Sequence, residues 1–125
     1  KIFKKKAHSK NDKEKENQSS VVDLPKEYFE IVRDGMRQAV TYGNAVSLNV
    51  PYVSVAAKTG TAQIGVAKNR VNSSVIGFFP YGNPKFAFTI LMESGPSTVG
   101  VNASYVMRQL LEWMSVNTPE YFTTI

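Results

Sequence analysis

Tyr52-Val53-Ser54-Val55-Ala56-Ala57-Lys58-Thr59-Gly60-Thr61-Ala62-Gln63 is the stretch that decides how this chain is read. Its first half alternates β-branched and small residues, which predicts a strand over Tyr52–Ala57 running into Lys58–Gln63. A loop rich in Gly, Lys and Asn follows through Asn72. Ser74–Phe79 predicts a second strand, stopped by the turn cluster Pro80-Tyr81-Gly82-Asn83-Pro84. Phe86–Glu93 predicts a third, with Phe86, Phe88, Ile90 and Met92 on one face and Ala87, Thr89 and Leu91 on the other. Connections this short join neighbouring strands as an antiparallel meander. Gly95–Gly100 breaks the chain again.

Helical spacing flanks the strands on both sides. Upstream, Phe29, Val32, Met36 and Val40 predict an amphipathic helix from about Lys26 to Thr41. Asp23 is suited to cap it, Pro25 to its first turn, and Glu27 and Glu30 to the positive end of its dipole. Gly35 costs such a helix roughly 1 kcal/mol relative to alanine, so close packing against it is the expected compensation. Gly43-Asn44 ends it. Downstream, Asn102 is suited to cap a helix over Ala103–Val116, whose apolar stripe combines Val106, Leu110 and Trp113 with Met107, Leu111 and Met114. Asn117-Thr118-Pro119 stops it. Helix, three strands, helix is an α+β order: an antiparallel sheet covered by helices.

Composition narrows the function classes. The chain's net charge is +5, yet residues 1–20 hold seven lysines against Asp12, Glu14 and Glu16, leaving about +1 for the remainder. A nucleic-acid groove spreads its charge over a folded face with aromatics interleaved. Here the charge sits in a polar, repetitive stretch, so residues 1–20 are expected to be a solvated loop or tail. Within it only Ile2 and Phe3 are apolar, suited to the end of a strand. Residues 21–125 form the globular portion. There is no cysteine and a single histidine, His8, which excludes thiolate sites and histidine clusters. No apolar run approaches the roughly 20 residues of a membrane span, and no signal-peptide core is present.

Chemistry concentrates in Lys58-Thr59-Gly60-Thr61. By itself a Lys-Thr-Gly triplet arises in roughly a few per cent of chains this long. Its bland reading is an edge lysine that deters aggregation, with threonines present for strand propensity. At the end of a strand with a free edge it can do more. Such an edge pairs with an extended peptide through backbone hydrogen bonds. Lysine supplies positive potential for a carboxylate, and the two threonine hydroxyls can bond it. Glycine lets substrate approach the backbone. The Thr61 N–H can serve as an oxyanion donor, a contribution worth about 3 kcal/mol where one such donor has been removed. Gln63 is more often an ordinary edge polar residue, and Tyr105, Trp113 and the methionines are packing residues.

The run Val55–Gln63 resembles the third active-site motif of penicillin-binding proteins. The resemblance continues in Gly35-Met36, in Gly77-Phe78-Phe79-Pro80 with Asn83-Pro84, and in Val106-Met107-Arg108-Gln109-Leu110-Leu111. It covers about Pro25 to Met114 and is closest to the C-terminal part of a class B transpeptidase domain. Ala57 departs from the glycine that many members place before the lysine, and the Ala-Ala-Lys version is similar to the elongation-type subgroup. The fold implied is part of the serine β-lactamase/D,D-transpeptidase-like fold. The activity implied is cross-linking of peptidoglycan stem peptides by serine acyl transfer, in an extracytoplasmic domain anchored to the membrane through sequence outside this chain. No cofactor or metal is implied. Partners would be stem peptides and β-lactams, not nucleic acid. The resemblance implies catalytic roles for Lys58 and Thr61, and substrate binding by Lys58, Thr59, Gly60 and Thr61.

No Ser-x-x-Lys occurs anywhere in the sequence. Ser47-Leu48-Asn49 and Ser115-Val116-Asn117 match Ser-x-Asn, the first too close to Lys58 to be the family's second motif and the second at a helix end; both are expected to be coincidental, and Tyr42-Gly43-Asn44 and Tyr81-Gly82-Asn83 are expected to be turns. The nucleophile and second motif are expected N-terminal to the residues present, which would leave this chain inactive alone, with an uncovered sheet prone to self-association. Two other readings remain: a penicillin-recognising sensor or scaffold without turnover, and a small basic interaction module.

Overall fold

The computed structural model describes residues 23–67, 69–97 and 101–122. The expected loop over residues 1–20, including its Ile2-Phe3 strand end, lies outside them. In chain order the elements are α1 (Lys26–Thr41), a 3₁₀ turn (Val46–Leu48), β1 (Ala56–Ile64), β2 (Arg70–Phe79), β3 (Phe86–Pro96), α2 (Ala103–Asn117) and a 3₁₀ turn (Pro119–Tyr121). The sheet is antiparallel in the order β1-β2-β3, so among the described residues β1 and β3 are its edges.

Alternation assigns the faces. Ser73, Val75, Gly77 and Phe79 are buried on β2 and stand opposite Met92, Ile90, Phe88 and Phe86 of β3. This face meets α2, whose Ala103, Met107 and Leu111 share the core with Val55, Ala57, Val75 and Phe79. Rings fill the end of that core: Phe79 lies 5.3 Å from Phe86, 6.1 Å from Phe88 and 5.8 Å from Phe122. The opposite face carries Ser74, Ile76 and Phe78, and α1 reaches it with the Arg33 guanidinium 5.4 Å from the Phe78 ring centre.

Several boundaries differ from the expectations. Pro25, not Asp23, is the N-cap of α1, and no side chain caps it. A capping side chain accepts from the second or third helical N–H, and Asp23 stands too far upstream to do so. Asn102 does cap α2, accepting from the Tyr105 N–H at 3.1 Å. Tyr52–Val55 is not a strand. Its backbone bonds go elsewhere: Arg37 donates to the Val55 carbonyl at 2.8 Å and the Tyr81 N–H to the Ser54 carbonyl at 2.8 Å. The β2–β3 hairpin is longer than Ser74–Phe79 and Phe86–Glu93. Side chains extend its ladder across a bulge between Val71 and Ser73: Arg70 donates to the Ser94 carbonyl at 2.9 Å, and the Ser94 N–H donates to Asn72 Oδ1 at 2.9 Å.

Both helices are narrower in their buried stripes than expected. On α2 the core side is Ala103, Ser104, Met107 and Leu111, while Val106, Leu110 and Trp113 are exposed. On α1 only Val40 is buried, Phe29 and Val32 are exposed, and nothing among the described residues lies within 4 Å of a side chain added at Gly35. The expected packing against Gly35 is therefore not made by these residues.

Gly77 is where two strands and a ring converge. A Cβ there would meet the Ala56 carbonyl oxygen and, at 2.6 Å, Phe88 Cζ. Because one obstacle is backbone, Gly77→Ala is expected to lower stability by about 1–3 kcal/mol. Denaturant unfolding compared with wild type checks this, and an unchanged midpoint would contradict the packing.

Candidate functional site

Lys58, Thr59, Gly60 and Thr61 occupy the centre of β1, with Ile76, Val75, Ser74 and Ser73 as their cross-strand partners. All four expected site residues therefore lie on one strand that, among the described residues, is an edge hydrogen-bonded on one side only. In such a strand alternate residues turn their N–H and C=O groups outward, where an extended peptide could pair. Side chains alternate too. Lys58 and Gly60 belong to the face of Ser74 and Ile76, and Thr59 and Thr61 to the face of Ser73 and Val75. The lysine and the threonines thus stand on opposite faces and converge only along the open edge.

Lys58 and Thr61 are exposed, Thr59 and Gly60 half-buried. The Lys58 ammonium donates to the Thr59 carbonyl at 2.7 Å. That bond spans adjacent residues and leaves two N–H donors for other acceptors. Gly60 is closed from below: a Cβ would come within 2.6 Å of Ser74 Oγ, and that hydroxyl stands 3.5 Å from the Gly60 carbonyl oxygen. Ser73, on the other face, accepts from the Ala103 N–H at 3.0 Å and so ties the start of α2 beneath Thr61.

The strand's entry is braced from α1. Besides the Arg37 bond to Val55, Arg33 donates to the Tyr81 carbonyl at 2.9 Å, and the Tyr81 hydroxyl donates to Asp34. That hydrogen bond raises the Tyr81 phenol above its ordinary value, with smaller contributions from burial and the Asp34 charge. Sequence reading placed Tyr81 in a turn and assigned the other three residues no role. Arg33, Asp34 and Arg37 follow helical spacing, but their partners lie far along the chain.

The two Ser-x-Asn matches lie away from the motif. The Ser47 carbonyl accepts from Arg108 at 3.1 Å, and Ser115 Oγ donates to the Glu112 carbonyl at 2.7 Å. Tyr42-Gly43-Asn44 and Tyr81-Gly82-Asn83 are turns and bends. A depression of about 320 Å³ is lined by Arg37, Val50, Tyr52, Ser54, Pro80 and Phe122, among others, and by no motif residue.

Residues 1–112 match the family described as the penicillin binding protein transpeptidase domain. The chain belongs to this family. Among curated relatives it is 30% identical over 109 residues to the Escherichia coli K12 peptidoglycan D,D-transpeptidase MrdA, covering 74% of this chain and 17% of that protein. Among solved structures it is similar to the penicillin-binding protein PBP2 of Helicobacter pylori, with 31% identity, a TM-score of 0.55, and 77% and 17% of the two chains covered. A D,D-transpeptidase domain of a peptidoglycan glycosyltransferase from Eggerthella lenta gives 28% identity, a TM-score of 0.55, and coverage of 69% and 19%. This member of the family thus spans about a sixth of the MrdA relatives it matches. Its three strands and two helices are a partial α+β transpeptidase fold. Among the described residues no helix is long and apolar enough to cross a membrane.

The Tyr52 hydroxyl is buried without a hydrogen-bond partner among the described residues. Burial raises its pKa above the usual phenol value, the Glu112 charge adds to this, and Arg108 offsets part of it. A raised acid favours the neutral form in the folded state. Its stabilising contribution is full below the unfolded value, about 10, and is lost as pH rises through the higher folded value. Tyr52→Phe is therefore expected to hold or improve stability at pH 7, since no bond is broken, and to lose less stability above pH ~10 than wild type. Denaturant unfolding across that range tests both signs.

Proposed function

We propose that this chain is the portion of a peptidoglycan D,D-transpeptidase that supplies its substrate-binding strand, in an enzyme that cross-links stem peptides by serine acyl transfer. The supporting observation is the presentation of Lys58-Thr59-Gly60-Thr61 at the centre of a strand that has one side unpaired among the described residues. Family membership supplies the reaction class. In this reading an extended D-Ala-D-Ala terminus, or a β-lactam in its place, lies along β1. Thr59 and Thr61 hold the terminal carboxylate and Lys58 supplies positive charge beside it. Gly60 keeps the approach open. The Thr61 N–H donates to the carbonyl oxygen as it becomes an oxyanion.

The serine that attacks belongs elsewhere in the intact protein. Its Oγ forms an ester with the penultimate D-Ala carbonyl, and the terminal D-Ala leaves as the amine after taking up a proton. An amine of a second stem peptide then displaces the serine and completes the cross-link. The domain works outside the cytoplasmic membrane, where this polymer lies, with its anchor in the rest of the protein. The similarity to MrdA and to PBP2 supports an elongation-type parent.

In the full-length protein, Lys58→Ala is expected to slow acylation by a fluorescent penicillin by orders of magnitude with little change in melting. The side chain is exposed and, among the described residues, bonds only the neighbouring carbonyl. Thr61→Ala keeps its N–H and is expected to cost less, below the roughly 10²–10³-fold loss of a removed oxyanion donor. A Lys58→Ala rate within about twofold of wild type would end the catalytic assignment.

The isolated chain is expected to remain unacylated, since it holds no serine paired with an activating lysine in Ser-x-x-Lys spacing. It is also expected to self-associate. Its sheet has two edges, and Ile76 and Leu91 are 52% and 58% exposed on the face opposite α2. Sedimentation at several concentrations decides this. A strict monomer with cooperative melting at high temperature would show that the sheet is complete as it stands.

A further inference from the structure

Gly60 has two neighbours to satisfy, a substrate on its open side and Ser74 on its closed side. The close approach of Ser74 Oγ, 2.6 Å from where a Cβ would stand, means that the hydroxyl occupies the notch left by the missing side chain. Ser74 is the direct cross-strand partner of Gly60, half-buried, and on the same face as Lys58. Cross-strand partners of ordinary size hold their Cβ atoms about 4.5–5.5 Å apart. Here a polar tip reaches beneath the backbone instead, 3.5 Å from the carbonyl oxygen of the peptide whose nitrogen is that of Thr61.

From this geometry we infer that Ser74 is a positioning residue: its hydroxyl, seated in the Gly60 notch, holds the Gly60–Thr61 peptide so that the Thr61 N–H points at the developing oxyanion. The inference rests on the transpeptidase reading for its catalytic consequence, while the notch pairing stands on distances alone. Gly60 is then required by its closed side. A methyl at this position meets the hydroxyl at 2.6 Å and turns it out of its seat. The effect passes through the peptide plane, because rotating that plane moves its carbonyl oxygen and its N–H together.

The pairing makes the two residues non-additive. In the full-length protein Ser74→Ala is expected to slow β-lactam acylation about three- to fivefold, the effect of a long, weak hydrogen bond. The loss should fall on the first-order acylation constant and spare the pre-covalent dissociation constant, because the oxyanion donor acts in the transition state. Ser74→Thr keeps the hydroxyl and should stay within about twofold of wild type. In a Gly60→Ala background, where the hydroxyl is already displaced, Ser74→Ala should slow acylation no further. A Ser74→Ala rate within about twofold of wild type, or the same fold-loss in both backgrounds, overturns the positioning role.

Thermal melting of the same variants separates this from failure of the functional reading. Gly60→Ala should lower Tm, and adding Ser74→Ala should raise it again by emptying the notch. If the second substitution lowers Tm further, the notch pairing itself is refuted. If the wild-type full-length protein is not acylated at all, the transpeptidase reading falls, and the melting cycle still decides the pairing.

Discussion

One-sided hydrogen bonding of β1 is the constraint on which the rest of the structure depends. A strand paired on both sides has no backbone groups left for a ligand, and a strand paired on neither has no fixed geometry. β1 is held by β2 from Ala56 to Ile64 and, among the described residues, left open along its other edge. Exposed edges invite pairing with other chains, and proteins normally blunt them with charge, bulges or covering elements. The open edge here carries Lys58, a residue type that deters indiscriminate pairing and, in the proposed reading, attracts a carboxylate. One amino acid answers both demands.

An edge strand that must present its backbone accurately needs support from directions other than its missing neighbour. From α1, Arg37 holds the carbonyl just before the strand. Arg33 and Asp34 take hold of Tyr81, whose N–H returns to Ser54. The strand's entry, the first helix and the β2–β3 turn are thus tied together at one place. These bonds also explain why Tyr52–Val55, with every appearance of a strand, is not one: its Ser54 and Val55 carbonyls are spent on the brace. Beneath the strand, Val55 and Ala57 enter the apolar core while Gly60 rests on Ser74. Packing fixes one end of the motif and a close polar contact its middle.

The exposed apolar residues follow a pattern. On α1 they include Phe29, Ile31 and Val32, beside the open Gly35; on the sheet they are Ile76 and Leu91; on α2 they include Val106, Leu110 and Trp113. Helices with apolar residues around more than one face are suited to burial between layers. Among the described residues nothing covers these surfaces. The same circumstance explains why helical periodicity overstated the buried stripes: it reports which residues are apolar, and burial requires a second surface to meet them.

Sequence alone determined the order of elements, the α+β class, both helix ranges to within a residue, and the position of the motif at the end of an apolar segment. Those features follow from local rules: periodicity, turn residues at Pro80–Pro84, a cap at Asn102. It also determined the family, because the Val55–Gln63 run and the Gly77–Pro80 run recur in the right order. Only tertiary structure decided which strand was an edge, that Lys58 and the two threonines stand on opposite faces, and that Ser74 fills the space beneath Gly60. It alone showed Asp23 too far upstream to cap α1, and Arg33, Asp34 and Arg37 bracing a strand and turn distant in the chain. Each of these is a pairing between residues with no local relation, set by strand register and helix docking, and neighbouring residues carry no record of it.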